Sequence, residues 1–154
     1  MIAAEPGAVR IDGDRRAVRF ERLYDATPEE LWGALTLPEQ LARWLAPAEF
    51  EPRVGGRIVL RFEEDDVMHG EVLRFEPPRL LEYSWREQEE SVVTFELRPE
   101  GDRTRRVLEH RQLPATEAAS FGAGWHAHLD SLEQALSWGR RYRKLLPEYE
   151  ARLP

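Results

Sequence analysis

The chain has 154 residues, a formal charge of −7, 42% hydrophobic residues, 10% aromatics and no cysteine. This excludes a chain too polar to fold, and it excludes disulfides, cysteine-ligated zinc, iron–sulfur clusters and thiol nucleophiles. The acidic balance argues against a nucleic-acid partner, and no apolar run approaches the roughly 20 residues of a membrane span.

Residues Ala8–Ile11, Asp12-Gly13-Asp14 and Ala17–Leu23 read as strand, turn and strand, with Asp-Gly supplying the turn chemistry. Val18, Phe20 and Arg22 share one face of the second arm. Thr27-Pro28-Glu29-Glu30 sets a hydroxyl cap, a proline at the first helical position and a carboxylate three residues after the cap. Leu31, Trp32 and Leu35 then give the stripe of a short helix, and a second is expected over Pro38–Leu45, closed by Pro47.

From about Glu49 to Gln112 the pattern has period two. Ile58, Leu60 and Phe62 alternate with Arg57, Val59 and Arg61. Leu81, Tyr83 and Trp85 alternate with Glu82, Ser84 and Arg86, and Val93, Phe95 and Leu97 with Thr94, Glu96 and Arg98. These are half-buried antiparallel strands, expected to form a meander with breaks at Glu64–Asp66, Pro77-Pro78, Glu87–Glu90 and Glu100–Asp102. The acidic run Glu63–Asp66 reads as a solvated hairpin tip rather than a metal site. On the last strand, Arg103–Gln112, one face carries Arg106, Leu108 and His110.

After Pro114 the period returns to 3.6. With Thr116 as cap, Phe121, Trp125, Leu129, Leu132 and Leu136 form one stripe of a long helix from Thr116 to Trp138, extending at most to Leu145 before Pro147 stops it. Arg140, Arg141, Arg143 and Lys144 read as a solvated helix end complementing the dipole; a phosphate or partner contact is the alternative. Met1–Arg10 include Glu5 and lack an apolar signal core, so the expected location is cytoplasmic.

The order of elements predicts an α+β helix-grip fold: a curved antiparallel sheet of about six or seven strands wrapped around a long C-terminal helix, with two short helices after the first strand. Residues 1–154 are expected to form one domain, with its core over about 17–138 and a helix end and tail over 139–154. A pocket between sheet and helix is expected.

Several segments resemble the Bet v 1-like (START/SRPBCC) superfamily, in the branch named for the activator of Hsp90 ATPase. They are Phe20-Glu21-Arg22, Thr27-Pro28-Glu29-Glu30-Leu31-Trp32, the stretch Leu35–Trp44, Gly55-Gly56-Arg57 and Gly70-Glu71-Val72-Leu73. Pro77-Pro78-Arg79-Leu80, Tyr83-Ser84-Trp85, His110 before Leu113-Pro114, and Gly124–Leu129 continue the resemblance, which runs over about residues 17–138. It implies a cavity that holds a small hydrophobic or amphipathic molecule. Members include cyclases, hydrolases, carriers and proteins that sense or sequester. The eukaryotic co-chaperone carries a further N-terminal domain for which this chain has no room, so an Hsp90-type partner is not carried over.

The aromatic lining expected for such a cavity is Phe62, Tyr83, Trp85, Phe95 and Trp125, with Leu108, Leu129 and His128 beside it; core packing is the alternative for each aromatic. His110 is a candidate base or ligand-orienting group, against a hydrogen-bonded structural role. Arg106 stands where related sequences tend to carry an aliphatic residue. Buried, it would need a partner, either an internal carboxylate or an anionic ligand group; a register one residue off turns it to solvent instead and points Val107 inward. His126 and His128 lie about 160° apart around the helix and cannot share a metal ion. Ser84 and Ser91 have no His–Asp arrangement readable in sequence. No catalytic residue beyond His110, no metal and no cofactor is expected. Small-molecule binding is the leading function. The alternatives are a cyclase- or hydrolase-type enzyme using His110 and Arg106, or a chaperone- or regulator-binding module. A homodimer is left open.

Overall fold

The computed structural model describes residues 7–86 and 89–153. The chain opens with a hairpin of β1 (Ala8–Asp12) and β2 (Arg15–Tyr24), turning at Gly13 with φ of 62°. The predicted capping box forms in full: the Thr27 hydroxyl accepts from the Glu30 N–H at 3.2 Å, and the Glu30 carboxylate reaches back to the Thr27 N–H, opening α1 (Pro28–Thr36). Proline at the first position of α2 (Pro38–Trp44) follows, and Trp44 Nε1 donates to the Ala34 carbonyl at 2.7 Å, locking the two short helices together.

The chain then enters β3 (Ala48–Phe50), β4 (Arg57–Glu63), β5 (Asp66–Glu76), β6 (Leu80–Arg86), β7 (Glu90–Glu100) and β8 (Arg103–Pro114). The sheet order is β1-β2-β8-β7-β6-β5-β4-β3, antiparallel throughout. The meander is as expected, with eight strands rather than six or seven because the three-residue edge strand β3 is too short to show a periodicity. The acidic run is the exposed β4–β5 tip. The predicted break at Glu87–Glu90 falls partly at residues 87 and 88, outside the described residues.

The alternation fails at two positions: Val59, which is buried although it shares a face with Arg57 and Arg61, and Ser84. Ser84 was expected on the wet face, but it is buried and its hydroxyl accepts from the Glu71 N–H at 2.9 Å. The neighbouring strand comes too close there for a larger group: a Cβ on Gly70 would sit 2.1 Å from the Ser84 carbonyl oxygen.

Helix α3 (Ala118–Glu150) starts two residues later than expected, because Glu117 N–H closes a turn onto the Pro114 carbonyl. It also runs through Pro147 instead of ending there. Pro147 lies in the last turn, so its missing N–H forfeits one helical bond, and the Ala151 N–H still bonds to the Pro147 carbonyl. The first half of α3 lays Trp125, Leu129 and Leu132 on the sheet, where they close a core with Leu31, Leu35, Ile58, Leu60, Leu81, Val93 and Leu108. From Arg141 onward every described residue is exposed. No helix among the described residues is long and apolar enough to cross a membrane.

Candidate functional site

The inner face of β8 presents Thr104, Arg106, Leu108 and His110, all fully buried, so the register turns Arg106 and His110 inward. The two polar groups meet opposite surroundings.

His110 sits under the N-terminal half of α3. The Trp125 Nε1–H donates to His110 Nδ1 at 2.9 Å. A neutral imidazole has one N–H, so Nε2 carries it and donates to Ser91 Oγ at 2.7 Å. Ser91 in turn leans its hydroxyl toward the Trp85 carbonyl oxygen at 3.4 Å. Pairing of Trp85 with Ser91 across β6–β7, and of Val93 with His110 across β7–β8, brings this chain of groups together. Burial pushes His110 down to about 3, which keeps it neutral. The serine–histidine pair was not expected from sequence, yet its polarity is the reverse of a nucleophile–base pair. There the base must accept the serine proton while a carboxylate holds its other N–H. Here an indole N–H occupies Nδ1, so Nε2 has no lone pair for serine. The alternative of a hydrogen-bonded structural histidine is the one this geometry fits.

The predicted aromatic lining converges around the same histidine. The Trp85 ring lies 5.3 Å from His110, 5.6 Å from Trp125 and 5.8 Å from Phe62; Phe95 lies 5.9 Å from Trp125 and 6.3 Å from Tyr83. Phe121, left out of the lining in the sequence reading, approaches His110 most closely, at 4.7 Å. His128 faces Phe62 at 5.8 Å, and its Nδ1–H donates to the Trp44 carbonyl at 3.1 Å. His126 instead stands edge-on to Phe20 and near Asp130. The rings pack on one another between sheet and helix. Burial also pushes the Tyr83 hydroxyl up. Among the described residues no group of three His, Asp or Glu could hold a metal ion.

Arg106 lies toward the other end of β8, paired with Arg22 on β2 and Leu97 on β7. Its three guanidinium nitrogens have no hydrogen-bond partner among the described residues. The Tyr24 ring lies 5.4 Å from the guanidinium carbon, the charges of Arg22 and Glu133 also act on Arg106, and the Tyr24 hydroxyl is within reach of Arg22 without a well-formed hydrogen bond among the described residues. Arg22 bonds through Nη1 to Asp130 at 3.1 Å and Glu133 at 3.2 Å on α3, while its Nε and Nη2 have no partner. Burial pushes the Arg106 guanidinium down, and it pushes the Tyr24 hydroxyl up against the pull of the two arginines. Trp85 Nε1 completes the set of unpartnered interior groups.

Two clefts flank α3. One of about 480 Å³ opens between the β1–β2 hairpin and the helix, bordered by Val9, Val18, Phe20, Gly122, Ala127 and Asp130. The other, about 150 Å³, lies between α1, α2 and α3 and reaches Glu30, Ala34, Trp44, Leu132 and Leu136. None of the ten predicted site residues borders either cleft.

A curved antiparallel sheet gripping a C-terminal helix, with two short helices closing one end, defines a START-like helix-grip protein. The family described as activator of Hsp90 ATPase homolog 1-like protein matches residues 25–137, most of the chain, and this protein belongs to it. Among solved structures, CalU16 from Micromonospora echinospora is 32% identical over 88% of this chain and 87% of its own, with a TM-score of 0.75. The protein MLL2253 from Mesorhizobium loti is 33% identical over 79% of this chain and 97% of its own, with a TM-score of 0.74. An Hsp90 activator from Plasmodium falciparum, 24% identical over 79% of this chain and 96% of its own, shares the fold with a TM-score of 0.68. Comparison with curated proteins returns no match.

Proposed function

We propose that this protein encloses a small apolar or amphipathic molecule between the sheet and α3. The observation that carries this reading is the set of buried polar groups on the inner face left without a well-formed hydrogen bond among the described residues: the Arg106 guanidinium, the Tyr24 hydroxyl and Trp85 Nε1. Folded proteins pair nearly all such groups, because an unpaired one costs about 1–3 kcal/mol. A bound molecule would supply the missing partners. The cleft beside the β1–β2 hairpin lies within the usual size range of small-molecule sites, roughly 300–1,000 Å³, and is lined mainly by apolar groups. Binding would be driven by burial at about 25 cal/mol per Å² of apolar area, with the polar groups fixing orientation. The enzyme reading is weaker, because both His110 nitrogens are already bonded.

One observation favours a second reading, an interaction surface. Trp138, Tyr142, Leu145 and Tyr149 lie on one exposed stripe of the projecting end of α3, with the Trp138 and Tyr142 rings stacked at 5.2 Å.

A native mass spectrum of the purified protein, compared with the same sample after denaturation, tests both. Extra mass that leaves on denaturation supports enclosure. A bare mass, together with failure to take up the neutral apolar dye Nile red, overturns it. A dimer in the same spectrum would favour the exposed stripe as a self-association surface.

A further inference from the structure

We infer that the enclosed molecule is an acid, whose carboxylate is held by Arg106 with Arg22 and Tyr24 beside it. The inference rests on the enclosure reading above and names the chemical class that the site would take.

The argument begins with charge. Arg106 is fully buried, and a lone guanidinium inside a protein is among the most costly groups to leave unpaired. The ring of Tyr24 offers it a face but no acceptor atom. The next cation, Arg22, is its direct partner across the β2–β8 ladder, and two of that side chain's nitrogens are also unpartnered. Among the described residues, five guanidinium nitrogens lack a well-formed hydrogen bond at one corner of the interior, with the Tyr24 hydroxyl in reach of Arg22 beside them. The carboxylates nearest this corner, Asp130 and Glu133, hydrogen-bond to Arg22 Nη1 and not to Arg106, although the Glu133 charge acts on Arg106. Oxygen acceptors are what the corner lacks. A carboxylate supplies two in the plane that a guanidinium fork recognises, and an alcohol or an ester does not.

The surroundings narrow the class further. Val18, Phe20, Leu97 and Leu108 are the buried neighbours along β2, β7 and β8, so the remainder of the molecule is apolar. Asp130, which bonds Arg22, also borders the cleft of about 480 Å³, while Arg106, Arg22 and Tyr24 lie behind its lining. A single negative charge matches one unpaired Arg106, since Arg22 already faces two carboxylates. An aliphatic or aromatic monocarboxylic acid meets all three conditions.

The test compares decanoic acid with 1-decanol, by tryptophan fluorescence titration of the full chain at pH 7.5, in the natural protein and in Arg106→Met. The expected result is acid bound at least about tenfold more tightly than alcohol in the natural protein, as a charge-assisted fork allows, and no preference in R106M. Arg106→Lys, which keeps the charge and loses the fork, should retain part of the preference. Acid and alcohol bound equally by the natural protein, or a preference that survives in R106M, overturns the acid assignment while leaving enclosure standing. Uptake of neither probe overturns both. Circular dichroism of each variant confirms that a lost preference is not a lost fold.

Discussion

His110 and Arg106 stand four residues apart on the same face of one strand, both fully buried, both capable of carrying charge. The fold treats them in opposite ways. Both ring nitrogens of His110 are bonded: indole N–H, imidazole and hydroxyl form a directed chain, wrapped in rings. Around Arg106 no hydrogen-bond partner is present among the described residues. The first arrangement is complete as it stands. The second is complete only with something added. The comparison separates two roles that a list of buried polar residues would merge: one is structure, the other is an unfilled requirement.

The contrast can be broken first at the satisfied end. His110→Leu would leave the Trp125 N–H unpaired in the core and take from Ser91 Oγ the N–H it accepts, and a loss of about 3 kcal/mol is expected in a urea unfolding curve. A variant of unchanged stability would show that the chain of hydrogen bonds is ornamental. Acid probes the same residue with a somewhat smaller effect. The folded protein holds His110 down to about 3, whereas the unfolded chain titrates near 6.5. Below 6.5 the unfolded state therefore binds the extra proton. Stability should fall by about 1.4 kcal/mol per pH unit from 6.5 toward 3, or about 2 kcal/mol at pH 5. Urea midpoints of the natural protein and H110L between pH 7.5 and 4.5 separate this slope from that of the carboxylates, and equal slopes would contradict it. The smallest effect has the opposite sign. Arg106→Met removes an unpaired buried charge and keeps the volume, so the ligand-free protein should gain about 1 kcal/mol. A large loss in thermal stability would mean that Arg106 has a partner in solution and that the contrast is false.

Much of this was legible in sequence. The capping box at Thr27 and Glu30, the face shared by Arg106, Leu108 and His110, and the stripe of α3 are all local patterns, and local patterns survive folding because each is set within a few residues. What stayed hidden depends on the pairing of distant segments. Ser91 reaches His110 only through the register of β7 against β8. Ser84 is buried because Gly70 admits a close neighbour on β5. Phe121 belongs to the helix stripe, but no periodicity says which ring it will meet. Pro147 misled for another reason: a residue that breaks a helix in its middle is tolerated in a last, solvent-exposed turn. That Arg106 has no partner could not be read at all, since it concerns every element packed around it.

The order of strands also has a consequence in time. From β3 to β8 each strand pairs with the next in sequence, across connections of a few residues. The β2–β8 seam instead joins Val18 to His110, far apart along the chain. Closing a loop of roughly 90 residues costs about 4 kcal/mol of chain entropy, against about 1.5 kcal/mol for one of roughly five. The meander thus has the cheaper route to formation, and the first hairpin is expected to dock late on the folding path. Until it does, Arg22 and Tyr24 are absent from the corner that Arg106 occupies. The last seam to close is the one that carries the unpaired charge out of water.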